Sequence, residues 1–153
     1  MSDKKRIAPK LAYSLHTEYS FGKRELKSAL IENFNTLSTS HKDFVPQLWF
    51  NIKWAEEFIE FIQRLVGDNK PPKIIEIHPA FDDYCKSIAD FIKIYEIFEK
   101  GILTVFSDVE IVIENRFGSR YRKGNFLIST AEDLFELHQL INPKKLKLRI
   151  VLD

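Results

Sequence analysis

The sequence predicts an α/β fold in which parallel strands are joined by helices. Segments with the two-residue period of strands alternate along the chain with segments that have the 3.6-residue period of helices. The last three predicted strands begin at residues 73, 109 and 146, and this spacing leaves room for a crossover helix in each connection. An open doubly wound sheet is the alternative, but no strand is followed by the glycine-rich loop typical of dinucleotide-binding folds.

Periodicity locates the individual elements. The predicted strands are 11–16, 73–78, 109–115 and 146–153, with a further short strand possible over 45–51. The predicted helices are 23–37, 54–66, 86–99 and a last helix that contains Leu134, Leu137 and Ile141. In the helix 54–66 we expect Trp54, Phe58, Ile62 and Leu65 to face the core. Ser129 and Glu132 have the spacing of a capping box that starts the last helix.

Composition limits the class of protein. The 153 residues suit one domain over 11–153, preceded by a flexible basic tail over 1–10. Lys and Arg total 23 against 22 Asp and Glu, and this net charge of +1 excludes binding of nucleic acid by bulk charge. The single cysteine, Cys85, suits a reducing compartment, and no apolar run is long enough to span a bilayer. We therefore expect a cytoplasmic protein that does not bind membranes.

Polar residues that can bind metals stand at the carboxyl ends of the predicted strands. His16, His78, Glu114 and Asp153 each end a different strand. In parallel α/β folds the carboxyl ends of the strands form the active site, so these four side chains are expected to converge. Imidazole and carboxylate groups together suit a divalent cation such as Zn²⁺ or Mn²⁺. The alternative is that each residue is an ordinary strand-end or terminal residue.

The motifs around these residues resemble those of the xylose-isomerase-like TIM barrels, and within them the endonuclease IV type of apurinic/apyrimidinic endonucleases. The order is a strand ending in His-Pro (IIEIHP, 74–79), a strand ending in Glu-Asn (VIEN, 112–115) and a strand ending in Asp (LRIVLD, 148–153). Upstream, SLHTEY (14–19) resembles the His-x-x-Tyr element of that family through His16 and Tyr19. The resemblance covers residues 73–153 and, more weakly, 11–19.

The resemblance implies a function as well as a fold. His78 and Glu114 would be metal ligands and catalytic residues, and His16 and Asp153 would be further ligands. The implied activity is that of a divalent-metal-dependent phosphodiester hydrolase acting on DNA or a sugar phosphate. The alternatives are a sugar isomerase or epimerase of the same superfamily and a non-catalytic barrel fragment or interaction module. Arg116 and Arg120, in a loop rich in arginine, would bind phosphate if that loop is more than a solvated connection.

The chain is shorter than a complete barrel. A TIM barrel needs eight strands, whereas four or five are predicted here, so we expect a partial or truncated TIM-barrel-like domain. Ala80 also stands where the family has glycine after His-Pro. A partial barrel leaves unpaired strand edges. We therefore expect a homodimer or a partner chain to cover them.

Overall fold

The structure is a computed structural model that describes residues 11–17, 34–38, 41–42, 45–116 and 125–152. The strands are β1 (Ser14–His16), β2 (His41–Lys42), β3 (Val45–Pro46), β4 (Ile74–Ile77), β5 (Glu110–Glu114) and β6 (Arg149–Val151). The helices are α1 (Asn35–Ser38), α2 (Ile52–Val66), α3 (Ile88–Val105) and α4 (Ala131–Lys144). The predicted tail over 1–10 lies outside the described residues.

Four strands form one parallel sheet in the order β1-β4-β5-β6, and β2 and β3 form a separate antiparallel pair. The predicted α/β class with parallel strands is confirmed. Within the described part of the chain the sheet order follows the chain order without reversal, unlike a doubly wound sheet. The partial TIM barrel stays a prediction, as does a second chain that covers the edges at β1 and β6. None of the described helices is both long and apolar enough to cross a bilayer.

The two faces of the sheet differ in polarity because successive side chains of a strand point to opposite sides. Alternate residues of β4 and β5 are buried among the helices in the hydrophobic core; these are Ile75, Ile77, Ile111 and Ile113. The residues between them point to the other face, which is largely polar and carries Glu76, Glu110 and Glu114. The helices pack α2 on α3 and α3 on α4. This arrangement leaves the polar face of the sheet to form a site.

Side-chain caps fix where the long helices begin. Asn51 accepts a hydrogen bond from the Trp54 amide at 2.8 Å, and Ser87 accepts one from the Asp90 amide at 3.1 Å. The capping box of α4 consists of Thr130 and Asp133.

The predicted capping box of Ser129 and Glu132 is therefore wrong by one residue. The Ser129 hydroxyl donates to the Phe126 carbonyl at 2.7 Å, and the Ser129 amide donates to Asp133 Oδ2 at 2.9 Å. Ser129 thus belongs to the turn that enters the helix, and its hydroxyl does not accept from a helical amide.

Other element boundaries differ from the prediction in specific ways. Helix α3 continues past residue 99 to Val105. A Cβ at Gly101 would lie 2.4 Å from Ile59 Cδ1, so glycine permits the close approach of α2.

The prediction that Leu65 faces the core is wrong. Leu65 is 40% exposed, whereas Phe61 is buried on the same helix. Of the predicted strand 45–51 only Val45–Pro46 is extended. Residues 23–33 of the first predicted helix lie outside the described residues.

Two buried glutamates attach distant segments to the helices. Glu57 on α2 accepts hydrogen bonds from the Thr36 and Leu37 amides at 2.8 and 3.0 Å. Glu99 on α3 accepts from the Lys147 amide at 3.0 Å, just before β6. Glu99 also accepts from the Tyr95 hydroxyl at 2.6 Å. Burial and the adjacent carboxylate raise the pKa of Tyr95, so the phenol stays protonated and remains a donor.

We expect Glu99→Ala to lower the free energy of unfolding by about 3 kcal/mol, because it leaves the Tyr95 hydroxyl and the Lys147 amide without their acceptor. Tyr95→Phe should cost about 1 kcal/mol, since it removes one donor and leaves the other contacts of Glu99 in place. The measurement is chemical denaturation followed by circular dichroism. Glu96→Ala is the control on the same helix, because Glu96 pairs with Lys144 at the surface. A loss in Glu99→Ala no larger than that in Glu96→Ala would contradict the role of Glu99.

Cys85 should react slowly in the folded protein. Burial raises the pKa of its thiol from 9.0 to about 11, so little thiolate is present at pH 8. We expect Ellman's reagent to react at least about tenfold faster after denaturation. The raised pKa stabilises the fold fully below pH 9, and this contribution is lost as the pH rises through about 11. Equal reaction rates in folded and denatured protein would contradict the burial.

Candidate metal centre

The carboxyl ends of β1, β4 and β5 bring four potential metal ligands together. His16 ends β1, Glu114 ends β5, and His78 directly follows β4. The pairing of His16 with Glu76 and of Ile77 with Ile113 places these ends side by side. Because the strands are parallel, their polar side chains reach the same edge and the same face of the sheet.

The side chains of His16, Glu76, His78 and Glu114 converge closely. One ligand atom from each lies within 4.8 Å of the ligand atoms of the other three. The Nε2 atoms of His16 and His78 are 3.2 Å apart, and His78 Nε2 is 2.9 Å from Glu114 Oε2. The two imidazole rings meet edge to face, with their centroids 5.0 Å apart. We call these four residues the His/Glu cluster.

Burial within the cluster increases from β1 to β4. His78 is only 3% exposed, whereas the side chain of His16 is 46% exposed. Glu114 has 15% of its side chain exposed. Among the four residues, His16 is therefore the most exposed and His78 the most buried.

Glu76 has a different role from the other three residues. Its Oε1 lies 3.3 Å from Nδ1 of His16, on the side of the ring opposite Nε2. A carboxylate in this position accepts from Nδ1–H and so leaves the lone pair on Nε2, which lies 3.2 Å from His78 Nε2. The Glu76 backbone carbonyl also accepts from the Thr17 amide at 3.0 Å and from the Thr17 hydroxyl. Glu76 therefore orients His16.

Arg116 extends from the chain just after β5 and contacts the cluster. Its Nη2 lies 2.7 Å from His78 Nε2 and 3.2 Å from Glu114 Oε2. The Arg116 amide donates to the Ile128 carbonyl at 3.2 Å, which fixes this part of the chain. A guanidinium beside the cluster adds positive charge and several N–H donors to it.

The Trp49 side chain holds the backbone at His78 through a hydrogen bond. Its indole Nε1 donates to the His78 carbonyl at 2.8 Å. Trp49 has φ 57°, the left-handed region that costs a non-glycine residue about 1–2 kcal/mol. Ring contacts with Trp54, Phe91 and Phe98, at centroid distances of 4.8, 5.3 and 5.2 Å, hold the side chain in this conformation. The packed aromatic core thus fixes the position of the His78 backbone.

The hydrogen-bonding roles around His78 Nε2 are incompatible with one another. The Arg116 guanidinium only donates, so it requires the Nε2 lone pair, whereas the Glu114 carboxylate only accepts and requires an Nε2 proton. One ring nitrogen cannot meet both requirements at once, so Nε2 either donates to Glu114, with Arg116 paired to Glu114 Oε2 at 3.2 Å, or offers its lone pair to Arg116. A protonated imidazolium would place a positive charge 2.7 Å from Arg116. A cation could instead take the lone pairs of both histidines and of Glu114 if the Arg116 guanidinium, a like charge, moved away from Nε2.

The distances within the cluster also fit a metal ion. Two ligand atoms bound at about 2.0–2.1 Å lie about 3.3 Å apart around a tetrahedral ion and about 2.9 Å apart around an octahedral one. The observed separations of 3.2 and 2.9 Å fall in this range. The chemistry and spacing of the donors therefore fit a divalent ion.

The structure brings together most of the residues that the sequence singled out. His16, His78 and Glu114 lie in one cluster, and Arg116 contacts two of them. Asp153 and Arg120 lie outside the described residues. Sequence reasoning did not select Glu76 as part of the site, although its place two residues before His78 on the same face of β4 was the pattern that indicated it.

Comparisons with protein-family models, with curated proteins and with solved structures found no match for this chain. The xylose-isomerase-like resemblance therefore stays an inference from the motifs, and the function is argued from the geometry of the His/Glu cluster.

Proposed function

We propose that this chain is a divalent-metal-dependent phosphodiester hydrolase that binds Zn²⁺ or Mn²⁺ through His16, His78 and Glu114. Glu76 positions His16 in this proposal. The observation that carries it is the convergence of the His16, His78 and Glu114 ligand atoms within 4.8 Å of one another, with His78 Nε2 3.2 Å from His16 Nε2 and 2.9 Å from Glu114 Oε2. Asp153 remains a predicted further ligand.

The side chains of the cluster supply the elements of phosphoryl chemistry. A bound divalent ion lowers the pKa of a water molecule and stabilises negative charge on a phosphoryl oxygen. Glu114 contributes negative charge that favours binding of the ion, and the burial of His78 keeps water away from one side of the site. The Arg116 guanidinium binds phosphate oxygens with two parallel hydrogen bonds, a geometry well suited to this side chain. Arg120 is a predicted second phosphate ligand.

The position of Arg116 favours a phosphorylated substrate over a free sugar. A guanidinium that touches Glu114 and His78 reduces the net negative charge of the cluster and adds donors for an anion. An isomerase acting on an open-chain sugar does not require this charge. The resemblance to the endonuclease IV type suggests DNA with an abasic site as the first substrate to test, and a sugar phosphate as the second.

The first test is metal binding. We expect purified protein to bind one or two Zn²⁺ or Mn²⁺ ions, measured by isothermal titration calorimetry after treatment with a chelator. Glu114→Gln should weaken binding by more than about 100-fold, because loss of even an outer-shell partner costs about 10–100-fold. Glu76→Gln should weaken it by about 10–100-fold.

The matched control for this test is Glu110→Gln. Glu110 lies on the same strand and the same face as Glu114 but outside the cluster. The metal affinity of Glu110→Gln should equal that of the wild-type protein. Absence of metal binding in the wild-type protein would support the non-catalytic alternative and overturn the proposal. Cleavage of abasic DNA would support the hydrolase, and turnover of free ketoses the isomerase.

The second test separates the metal ligands from the phosphate-binding residue. Arg116→Gln should leave metal affinity unchanged or raise it, because it removes a like charge beside the ion. It should lower kcat/KM for phosphodiester hydrolysis by about 10²–10³-fold, as expected for loss of a donor to the transition-state oxygens. Arg149→Gln is the control, since Arg149 pairs with Glu110 at an exposed position. Equal losses of metal affinity in Arg116→Gln and Glu114→Gln would contradict the assigned role.

A further inference from the structure

The Arg116 guanidinium lies against the ligand atoms to which a metal ion would bond. Its Nη2 is 2.7 Å from His78 Nε2 and 3.2 Å from Glu114 Oε2, and these two atoms are themselves 2.9 Å apart. The three atoms therefore form a closed triangle of contacts. Because a guanidinium is permanently charged, Arg116 supplies positive charge at the point where a bound cation would supply it.

The same distances set Arg116 and a metal ion against each other. An ion bonded to both His78 Nε2 and Glu114 Oε2 at about 2.1 Å would lie at most about 4 Å from Arg116 Nη2, whichever side of the triangle it occupied. The side chains of His78 and Glu114 are only 2% and 15% exposed, so water screens the repulsion between the two cations poorly. The ion and the guanidinium therefore compete for the same ligand atoms.

The Arg116 side chain can move without a change in the main chain. The Arg116 amide donates to the Ile128 carbonyl at 3.2 Å, which holds the main chain after β5. The side chain itself is 24% exposed, and rotation about its own bonds carries the guanidinium toward solvent. A displaced guanidinium remains within one side-chain length of the cluster, where its N–H groups reach a phosphate bound to the metal.

We propose that Arg116 holds the His/Glu cluster together in the metal-free protein and that metal binding displaces its guanidinium from His78 and Glu114. This inference adds a regulation of the proposed site, and it rests on the proposed function for one point, that the cluster binds a divalent cation. The metal affinity of the wild type is then the affinity of the ligands themselves, reduced by the contacts that the guanidinium gives up.

The first test compares Zn²⁺ affinities of the chelator-treated full chain, measured by competition with a zinc-binding dye in buffer without phosphate or sulfate. Arg116→Gln should bind Zn²⁺ about tenfold more tightly than the wild type, a coupling of ordinary size between two competing groups. Arg149→Gln is the matched control, because it removes the same charge from an exposed residue that pairs with Glu110. The Zn²⁺ affinity of Arg149→Gln should stay within about twofold of the wild-type value.

The second test is thermal unfolding with and without Zn²⁺. A contact that exists only in the metal-free protein stabilises only that state, so Arg116→Gln should lower the Tm of the metal-free protein. At saturating Zn²⁺ this difference from the wild type should shrink or reverse. A purely structural role of Arg116 predicts instead the same loss of Tm in both states.

The wild-type protein gives a third readout that does not depend on whether the variant folds. Contacts slow the rotation of a guanidinium, so the Nη groups of Arg116 should give separate signals in ¹⁵N spectra of the metal-free protein at low temperature. These signals should merge when one equivalent of Zn²⁺ binds.

The outcomes separate this inference from the proposed function. Equal Zn²⁺ affinity in the wild type and Arg116→Gln, or Arg116 signals that stay separate with Zn²⁺ bound, would overturn the displacement and leave the metal site in place. Zn²⁺ binding by Arg116→Gln alone would support the competition and remove metal-dependent activity from the wild type. Absence of Zn²⁺ binding by both proteins would overturn both inferences.

Discussion

The hydrogen-bonded ladder between β4 and its two neighbours, β1 and β5, sets the position of every residue in the His/Glu cluster. Parallel pairing in this register places His16 beside Glu76 and the chain at His78 beside Glu114. A shift of one residue in either strand would turn a ligand away to the helix side, because strand side chains alternate between faces. The buried isoleucines on the opposite face resist that shift, since it would expose them to water. The core of the protein thus fixes the geometry of the site.

A second constraint on the site comes from the aromatic core. Trp49 is held with φ 57° by the rings around it, and its indole donates to the backbone at His78. The strain of this conformation is small compared with the contacts that a buried tryptophan makes. One side chain therefore links the aromatic core to the most buried residue of the His/Glu cluster.

Much of the site followed from the sequence because its residues end predicted strands. His16, His78 and Glu114 were recognisable since parallel strands must bring their carboxyl ends to one edge. Glu76 was not selected, because a residue inside a strand is as often a surface residue as part of a site. The capping residue of α4 was displaced by one because Ser129 and Thr130 both fit the pattern. Local hydrogen bonds distinguish them, since the Ser129 hydroxyl donates to the Phe126 carbonyl and the Thr130 hydroxyl accepts from the Asp133 amide.

The contact between Glu99 and the Lys147 amide has a consequence for how the molecule opens. β6 has only three residues and lies at an edge of the described sheet, where strands usually fray first. The segment before it is bonded to a buried carboxylate in the middle of α3, a helix that is packed against both of its neighbours. This edge strand and the central helix are therefore joined in one cooperative unit, so that the edge separates from the sheet only when the interior is disrupted as well.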